Sequence, residues 1–317
     1  MRCLITGITG FVGSHLAELL LREGYEVYGV VRHRSKMENI THIDGLNLLV
    51  AELRDANSVE KVLREATPRF IFHLAAQSYV PMSWRAPIDT METNIIGTVN
   101  LYESVLKLAL DPVIQFAGSS EEYGYVNPVT DIPIREDNEL RPLSPYGVSK
   151  VAGDRLSYQY VKSYGMKIVI TRAFNHEGPR RGKEFVTSSF AKQIAEIENG
   201  AEPIIKVGNL EAIRDFTDVR DMVKAYLLAV KKCQYGVPYN ICSGQSITME
   251  SLLNRLLSMS KIHVTIEQEP NRMRPSDVPI LQGDCSQFKN ATGWERSYTL
   301  DETLEDLLNY WRMKCKK

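Results

Sequence analysis

Along the first half of the chain, short apolar runs alternate with stretches whose apolar residues recur every three or four positions. That alternation predicts strands each followed by an amphipathic helix, as in a parallel sheet covered on both faces. Strands are predicted at 1–6, 25–31, 47–51, 70–77, 113–117 and 167–174, and helices at 14–23, 57–66, 90–108 and 146–164. Farther on, the pattern gives a helix at 221–231, a strand at 238–242, a helix at 249–260, a strand at 263–267 and a last helix at 300–314. Gly24 stops the first helix, while Ser144 and Pro145 suit the cap and first turn of the fourth.

Between the first strand and helix stands Gly7-Ile8-Thr9-Gly10-Phe11-Val12-Gly13, a G-x-x-G-x-x-G turn. Glycines there permit a tight turn and close approach of a pyrophosphate to the helix N-terminus, so residues 7–13 read as a dinucleotide site. The fold class that follows is α/β, a Rossmann-type doubly wound parallel sheet with a smaller discontinuous α/β lobe. The sheet is assigned to 1–175 and 213–243, the lobe to 176–212 and 244–317. The second strand ends in Arg32-His33-Arg34-Ser35 rather than in an acidic residue, so Arg32, Arg34 and Ser35 favour a 2′-phosphate and NADP over NAD. Leu53 falls near the adenine end of the third strand, and the small residues of Leu74-Ala75-Ala76 let backbone approach a cofactor. His73 reads as a packed strand residue.

Tyr146 and Lys150 are four positions apart on one predicted helix, with Cβ atoms about 5–6 Å apart, so the ammonium favours the phenolate. Ionising half of an ordinary tyrosine at neutral pH takes about three units, roughly 4 kcal/mol, which a lysine and a cationic nicotinamide supply together. Ligands of open α/β sheets bind beyond the carboxyl ends of the strands, where Gly7–Gly13 and Ser119-Ser120-Glu121-Glu122 both fall. Ser119 is placed to hold a substrate oxygen shared with Tyr146, and Glu121 to act as a second acid/base group, with Glu122 as the exposed member of the pair.

Composition narrows the partners. The chain has 317 residues, 44% of them hydrophobic, enough for a sizeable core in two lobes. Lys+Arg 38 against Asp+Glu 39 gives no bulk attraction to nucleic acid or to an anionic membrane. Five cysteines without C-x-x-C spacing point to reduced thiols in a cytoplasm and to no metal site, and no apolar leader or 18-residue apolar span is visible.

Thr-Gly-x-x-Gly-x-x-Gly at 6–13, Ser119 before S-E-x-Y-G, and Y-x-x-x-K at 146–150 together resemble the extended short-chain dehydrogenase/reductase family. Within it, the stretches Arg172 to Gly182 with Phe185-Val186-Thr187, Gly208 to Phe216, and Arg274-Pro275-Ser276-Asp277-Val278-Pro279 are similar to the GDP-mannose 4,6-dehydratases. They are equally similar to the GDP-4-keto-6-deoxymannose reductases. The resemblance implies that Tyr146 takes the O4 proton of the sugar while hydride passes from C4 to NADP, with Ser119 orienting O4. Lys150 then holds the ribose and lowers the phenol's pKa. Glu121 removes the C5 proton and helps the C6 hydroxyl leave, after which hydride returns to C6. Arg214 and Arg274 are fitted to phosphate contacts and face the GDP in that family; Asn175, Val186, Lys206 and Asp277 are implied to bind the rest of the substrate. Arg180 and Arg181 face cofactor, substrate or a neighbouring subunit.

Two features lean toward the reductases: the chain lacks the insertions after 32–35 and before Arg274, and Ser188-Ser189 stand where many dehydratases carry a basic pair. N-H-E-x-P-R-R-G at 175–182 is dehydratase-like. A GDP-mannose 4,6-dehydratase is therefore the leading expectation. A GDP-D-rhamnose-forming reductase, another nucleotide-sugar dehydratase or epimerase, and a non-catalytic nucleotide sensor are the alternatives. Helices 90–108 and 146–164 are expected to pair with their copies in a homodimer or homotetramer.

Overall fold

Within each short apolar run, successive side chains point to opposite faces, and in this protein both faces are covered. Cys3 and Ile5 join one hydrophobic cluster while Leu4 between them joins another. The computed structural model of the chain describes residues 1–273 and 278–316. It begins β1 (Arg2–Thr6), α1 (Phe11–Arg22), β2 (Glu26–Val31), β3 (Leu46–Val50), α2 (Ala56–Ala66) and β4 (Phe70–His73). The short helices α3 (Val80–Arg85) and α4 (Pro87–Met91) then lead through a π turn (Glu92–Ile96) into α5 (Gly97–Lys107), followed by β5 (Val113–Ser119), α6 (Pro145–Tyr164) and β6 (Lys167–Ala173). Next come β7 (Asn175–Glu177), α7 (Val186–Glu198), β8 (Ile204–Val207), β9 (Ile213–Asp218), α8 (Val219–Lys232) and β10 (Pro238–Ile241). The chain closes with β11 (Ser246–Thr248), α9 (Met249–Ser258), β12 (Thr265–Gln268), β13 (Ile280–Leu281), α10 (Ser286–Thr292) and α11 (Leu300–Cys315).

Seven strands form one parallel sheet in the order β10-β6-β5-β4-β1-β2-β3. The order reverses between β1 and β4, which opens a crevice at the carboxyl ends of those strands. Residues of α1 and α8 (Leu16, Leu20, Met222, Tyr226) fill one face, and residues of α2, α5 and α6 (Val59, Leu101, Tyr160) the other. A second sheet places β9 between β11 and β13 and pairs it with β7, while β12 pairs with β8. Its core is separate: Phe190 and Ile194 of α7, Leu252 and Leu256 of α9, and Leu304 and Leu308 of α11. The segment 213–243 thus opens with a strand of the small sheet and ends with a strand of the large one. No described helix is long and apolar enough to cross a membrane.

Three expected elements differ. Helix α1 starts at Phe11 rather than at 14, so Gly13 lies in its first turn. The strand expected over 70–77 ends at His73, because residues 74–77 leave the ladder to form the floor of the crevice. The helix expected over 90–108 contains a π turn that carries Asn94 inward: Asn94 Oδ1 accepts from Gln77 N (2.8 Å), and Nδ2 donates to Gln77 O (3.1 Å) and Ser149 Oγ (2.9 Å). His73 is a packed residue, its two ring nitrogens bonded to the hydroxyls of Thr6 (2.9 Å) and Thr98 (3.0 Å).

Beneath the carboxyl end of β5 lies a buried charge cluster. Arg172 of β6 donates through Nε to Asp154 Oδ2 (2.9 Å) and through Nη1 to the Tyr123 hydroxyl (3.0 Å) and to Glu136 O (2.9 Å). Tyr123 in turn donates to Asn240 Oδ1 of β10 (2.7 Å). Glu122, expected at the surface, is fully buried here: its Oε1 accepts from Ser119 N (2.7 Å) and its Oε2 lies 3.4 Å from Arg172 Nε. The correction has a local cause, since Ser119 caps a single 3-10 turn over Ser120–Glu122 and the third residue of that turn folds back on its cap. One guanidinium faces two carboxyls, so burial, reinforced by Asp154, pushes the Glu122 carboxyl up to about 8. A carboxyl that keeps its proton on folding stabilises the native state in acid and loses that contribution as pH climbs toward the raised value. Wild type should therefore lose stability relative to Glu122→Gln between about pH 4.5 and 8. Urea denaturation across that range checks this, and parallel curves refute it.

Candidate active site

The glycine turn is shaped by contacts that no side chain would survive. Gly7 has φ +76°, and a Cβ on it would sit 2.9 Å from Ala75 Cα; one on Gly13 would sit 2.3 Å from the carbonyl oxygen of Gly7. Gly10 caps α1 without a side-chain bond, and the first turn holds no acidic residue. The amides of Phe11, Val12 and Gly13 therefore open a helix N-terminus suited to an anion. The Thr9 carbonyl is held by Asn39 Nδ2 (3.1 Å). At the end of β2, Arg32 and Arg34 are exposed, and Ser35 Oγ accepts from Arg32 N (2.9 Å). Leu53 is buried against α5, and Leu74, Ala75 and Ala76 are half-buried beyond β4. This cradle, with cations and no acid at the β2 end, fits a dinucleotide carrying a 2′-phosphate.

Tyr146 and Lys150 sit on the first turns of α6, where Ser144 Oγ accepts from Gly147 N (3.0 Å). Two glycines let this helix press on β5 and the turn after it. A Cβ on Gly147 would meet Glu121 O at 2.6 Å, and one on Gly153 would meet the Phe116 ring at 2.3 Å. Lys150 Nζ consequently reaches the Ala117 carbonyl (2.6 Å) and stands 5.8 Å from the centre of the Tyr146 ring. Ser119 Oγ, at the end of β5, accepts from Glu121 N (3.2 Å).

The electrostatics correct one expectation. Burial pushes the Tyr146 phenol above its ordinary value, and Glu121 and Glu122 push the same way against the Ser119 hydroxyl and Arg181. Burial also lowers Lys150, to about 8. In the protein alone burial outweighs the nearby Lys150 ammonium, which donates to the Ala117 carbonyl, and the phenol stays above its ordinary value. The Glu121 carboxyl, half-buried, is close enough to Tyr146 to bear on its ionisation, whereas Glu122 serves the buried cluster.

The structure adds residues that spacing alone left open. Arg181 is largely buried, its guanidinium 3.5 Å from the centre of the Phe185 ring and 5.1 Å from that of Phe11, and its charge acts on Tyr146. Its Nε lies 3.8 Å from Glu177 Oε2, and burial raises that carboxyl to about 7. His176 stacks on Phe11 with ring centres 6.0 Å apart. The only hint in the sequence was the basic pair itself, and the conformation of its turn decides which arginine enters.

Of the residues expected to bind substrate, Asn175 lies on β7, which pairs with β9 in the small sheet, and Arg214 is buried on β9 with Nη1 donating to Ile213 O (2.8 Å). Val186 opens α7 in an exposed position, and Lys206 on β8 is exposed and paired with Glu269 (3.2 Å). Arg274 and Asp277 lie outside the described residues. Among the described residues, no group of three or more side chains is arranged to hold a metal ion.

A family model described as GDP-mannose 4,6 dehydratase matches residues 4–307. A GDP-6-deoxy-D-mannose reductase of Pseudomonas aeruginosa is 31% identical over 100% of this chain and 99% of its own. The human GDP-mannose 4,6 dehydratase is 32% identical over 96% of this chain and 90% of its own. Among solved structures, that of RMD from Pseudomonas aeruginosa complexed with NADPH superposes with a TM-score of 0.86 at 29% identity, covering 99% of this chain and 100% of the other. Matched along nearly its whole length, the chain belongs to the GDP-mannose 4,6-dehydratase family.

Proposed function

We propose that this protein converts GDP-D-mannose to GDP-4-keto-6-deoxy-D-mannose with a retained NADP. The observation that carries the reading is a second acid/base group, the Glu121 carboxyl, near the buried Tyr146, since dehydration needs one besides the group serving C4. Bound NADP supplies a hydride acceptor that returns the hydride in the same cycle, together with a positive charge that favours the phenolate. Tyr146 takes the proton from O4 as C4 is oxidised, and Ser119 holds O4 by hydrogen bond. Lys150 holds the ribose side of the site, anchored by Ala117 O. Glu121 removes the C5 proton, made acidic by the new ketone, and passes it to O6 so that water leaves; C5 then regains a proton, balanced by the one Tyr146 took from O4, as the hydride returns to C6.

Gly7, Thr9, Gly10, Phe11, Val12, Gly13, Leu53, Leu74, Ala75 and Ala76 line the cofactor in this reading, with Arg32, Arg34 and Ser35 at its 2′-phosphate. The segments 176–212 and 244–317 hold the GDP-sugar through Val186, Lys206, Arg274 and Asp277, helped by Asn175 of β7 and Arg214 of β9 at their borders. Reduction of the 4-keto sugar is the second reading. It is favoured by the end-to-end match to a reductase. The enzyme works in the cytoplasm as a dimer whose interface is formed by the exposed apolar residues Trp84, Ile88 and Ile96 of the α3–α5 region and Val148 and Tyr158 of α6.

Incubation with GDP-mannose and no added reductant should yield a 4-keto sugar without net change in NADPH; NADPH consumption only with the keto sugar would assign the reductase instead. Tyr146→Phe should cut kcat by about 10²–10⁴-fold while NADPH fluorescence titrations stay unchanged, and near-normal turnover would remove the phenol from its role. Glu121→Gln should permit C4 oxidation yet stop deuterium entering C5 from solvent, and undiminished exchange would exclude Glu121. Light scattering should give twice 36.0 kDa for wild type and half that for an Ile88→Asp, Ile96→Asp double variant, with a wild-type monomer refuting the interface.

A further inference from the structure

Only three described residues other than glycine have positive φ: Thr67 (40°), Ala109 (50°) and Arg180 (74°). Thr67 terminates α2 and Ala109 follows the end of α5, where a left-handed residue closes a helix. Arg180 ends no helix. A Cβ makes this conformation costly, so the surrounding contacts must impose it.

Those contacts are made by its own side chain. Its two terminal nitrogens straddle the Glu18 carboxylate of α1, Nη1 to Oε1 at 2.9 Å and Nη2 to Oε2 at 2.7 Å, a fork-to-fork pair. Nη2 also donates to His15 Nδ1 (2.6 Å), while His15 Nε2 donates to the carbonyl of Pro179 (2.9 Å). The imidazole is therefore the neutral tautomer with its proton on Nε2, and burial and the neighbouring guanidinium lower its pKa to about 4. His42 completes the cluster, 3.2 Å from Nη1 and 2.9 Å from Glu18 Oε1. Through these bonds the 178–182 turn is tied to the helix that begins at the glycine-rich cradle. The next residue, Arg181, lies across Phe185 and over Phe11 of the same helix, and its charge favours ionisation of the Tyr146 phenol.

We propose that Arg180 is a positioning residue whose clamp on Glu18 and His15 of α1 holds the 178–182 turn so that Arg181 stays stacked over Phe185 and Phe11, from where its charge reaches Tyr146. The catalytic half of this inference rests on Tyr146 being the acid/base group; the clamp itself does not. Without the clamp the turn relaxes, Arg181 leaves, and the phenol loses a positive neighbour that favours its ionisation.

Arg180→Gly is the discriminating variant, since glycine adopts φ +74° readily and so removes the clamping side chain without straining the backbone. Limited trypsin digestion of the substrate-free protein should cut after Arg181 and Lys183 about tenfold faster in Arg180→Gly than in wild type. In Glu18→Gln the increase should be smaller. The limb of the kcat–pH profile that rises with phenol deprotonation should move about one unit to higher pH, and Arg180→Lys should restore part of both effects. Unchanged cleavage in both Arg180→Gly and Glu18→Gln overturns the clamp, and faster cleavage with an unmoved pH profile overturns the link to Tyr146. Faster cleavage in a protein whose wild type turns over no GDP-sugar would uphold the clamp while removing the proposed function.

Discussion

Helix α6 lies as close to β5 as it does because Gly147 and Gly153 carry no side chains where it crosses Glu121 O and the Phe116 ring. That separation sets the geometry of the site. It brings the Lys150 ammonium within reach of the Ala117 carbonyl and seats the Tyr146 phenol beside the end of β5, where Ser119 and Glu121 leave the sheet. The approach is secured from below by Arg172, which joins α6 through Asp154, the turn after β5 through Glu122 and Tyr123, and, by way of the Tyr123 hydroxyl, Asn240 of β10. Packing and charge placement here are one constraint.

Close packing excludes water, and several buried ionisable groups in and around the site respond by moving toward neutrality. Tyr146, Glu122 and Glu177 are pushed up, while Lys150, His73, His15 and His176 are pushed down. Arg181 and the Lys150 ammonium are the cations that remain in these dry surroundings. In such surroundings a single added charge acts strongly over several ångströms, because little solvent screens it.

Much of this was legible in the amino-acid order. The glycine turn was readable because only residues without a Cβ tolerate the contacts made by Gly7 and Gly13, and Tyr146 and Lys150 because helical spacing fixes their proximity. The seven-strand sheet followed from short apolar runs separated by amphipathic helices. The identity of the buried glutamate did not follow, since a single capped turn decides it and the two residues are chemically alike. Nor did the sign of the effect on Tyr146, which depends on how dry the site is rather than on the distance to Lys150. The roles of Arg180 and Arg181 were hidden by one left-handed residue, and the strands β7, β11 and β13 are too short, at two or three residues, to show a period.

The π turn at Glu92–Ile96 has a bearing on which parts of this architecture can vary in length. A π turn amounts to one extra residue accommodated within a helix, and here it points Asn94 at both backbone groups of Gln77 and at Ser149, whose hydroxyl donates to the Tyr146 carbonyl (2.7 Å). Removing a single residue between α4 and α5 would restore an ordinary helix, yet it would rotate that amide away and unfasten the floor of the crevice from α6. This stretch is thus held to a fixed count by a local irregularity rather than by the regular helix around it.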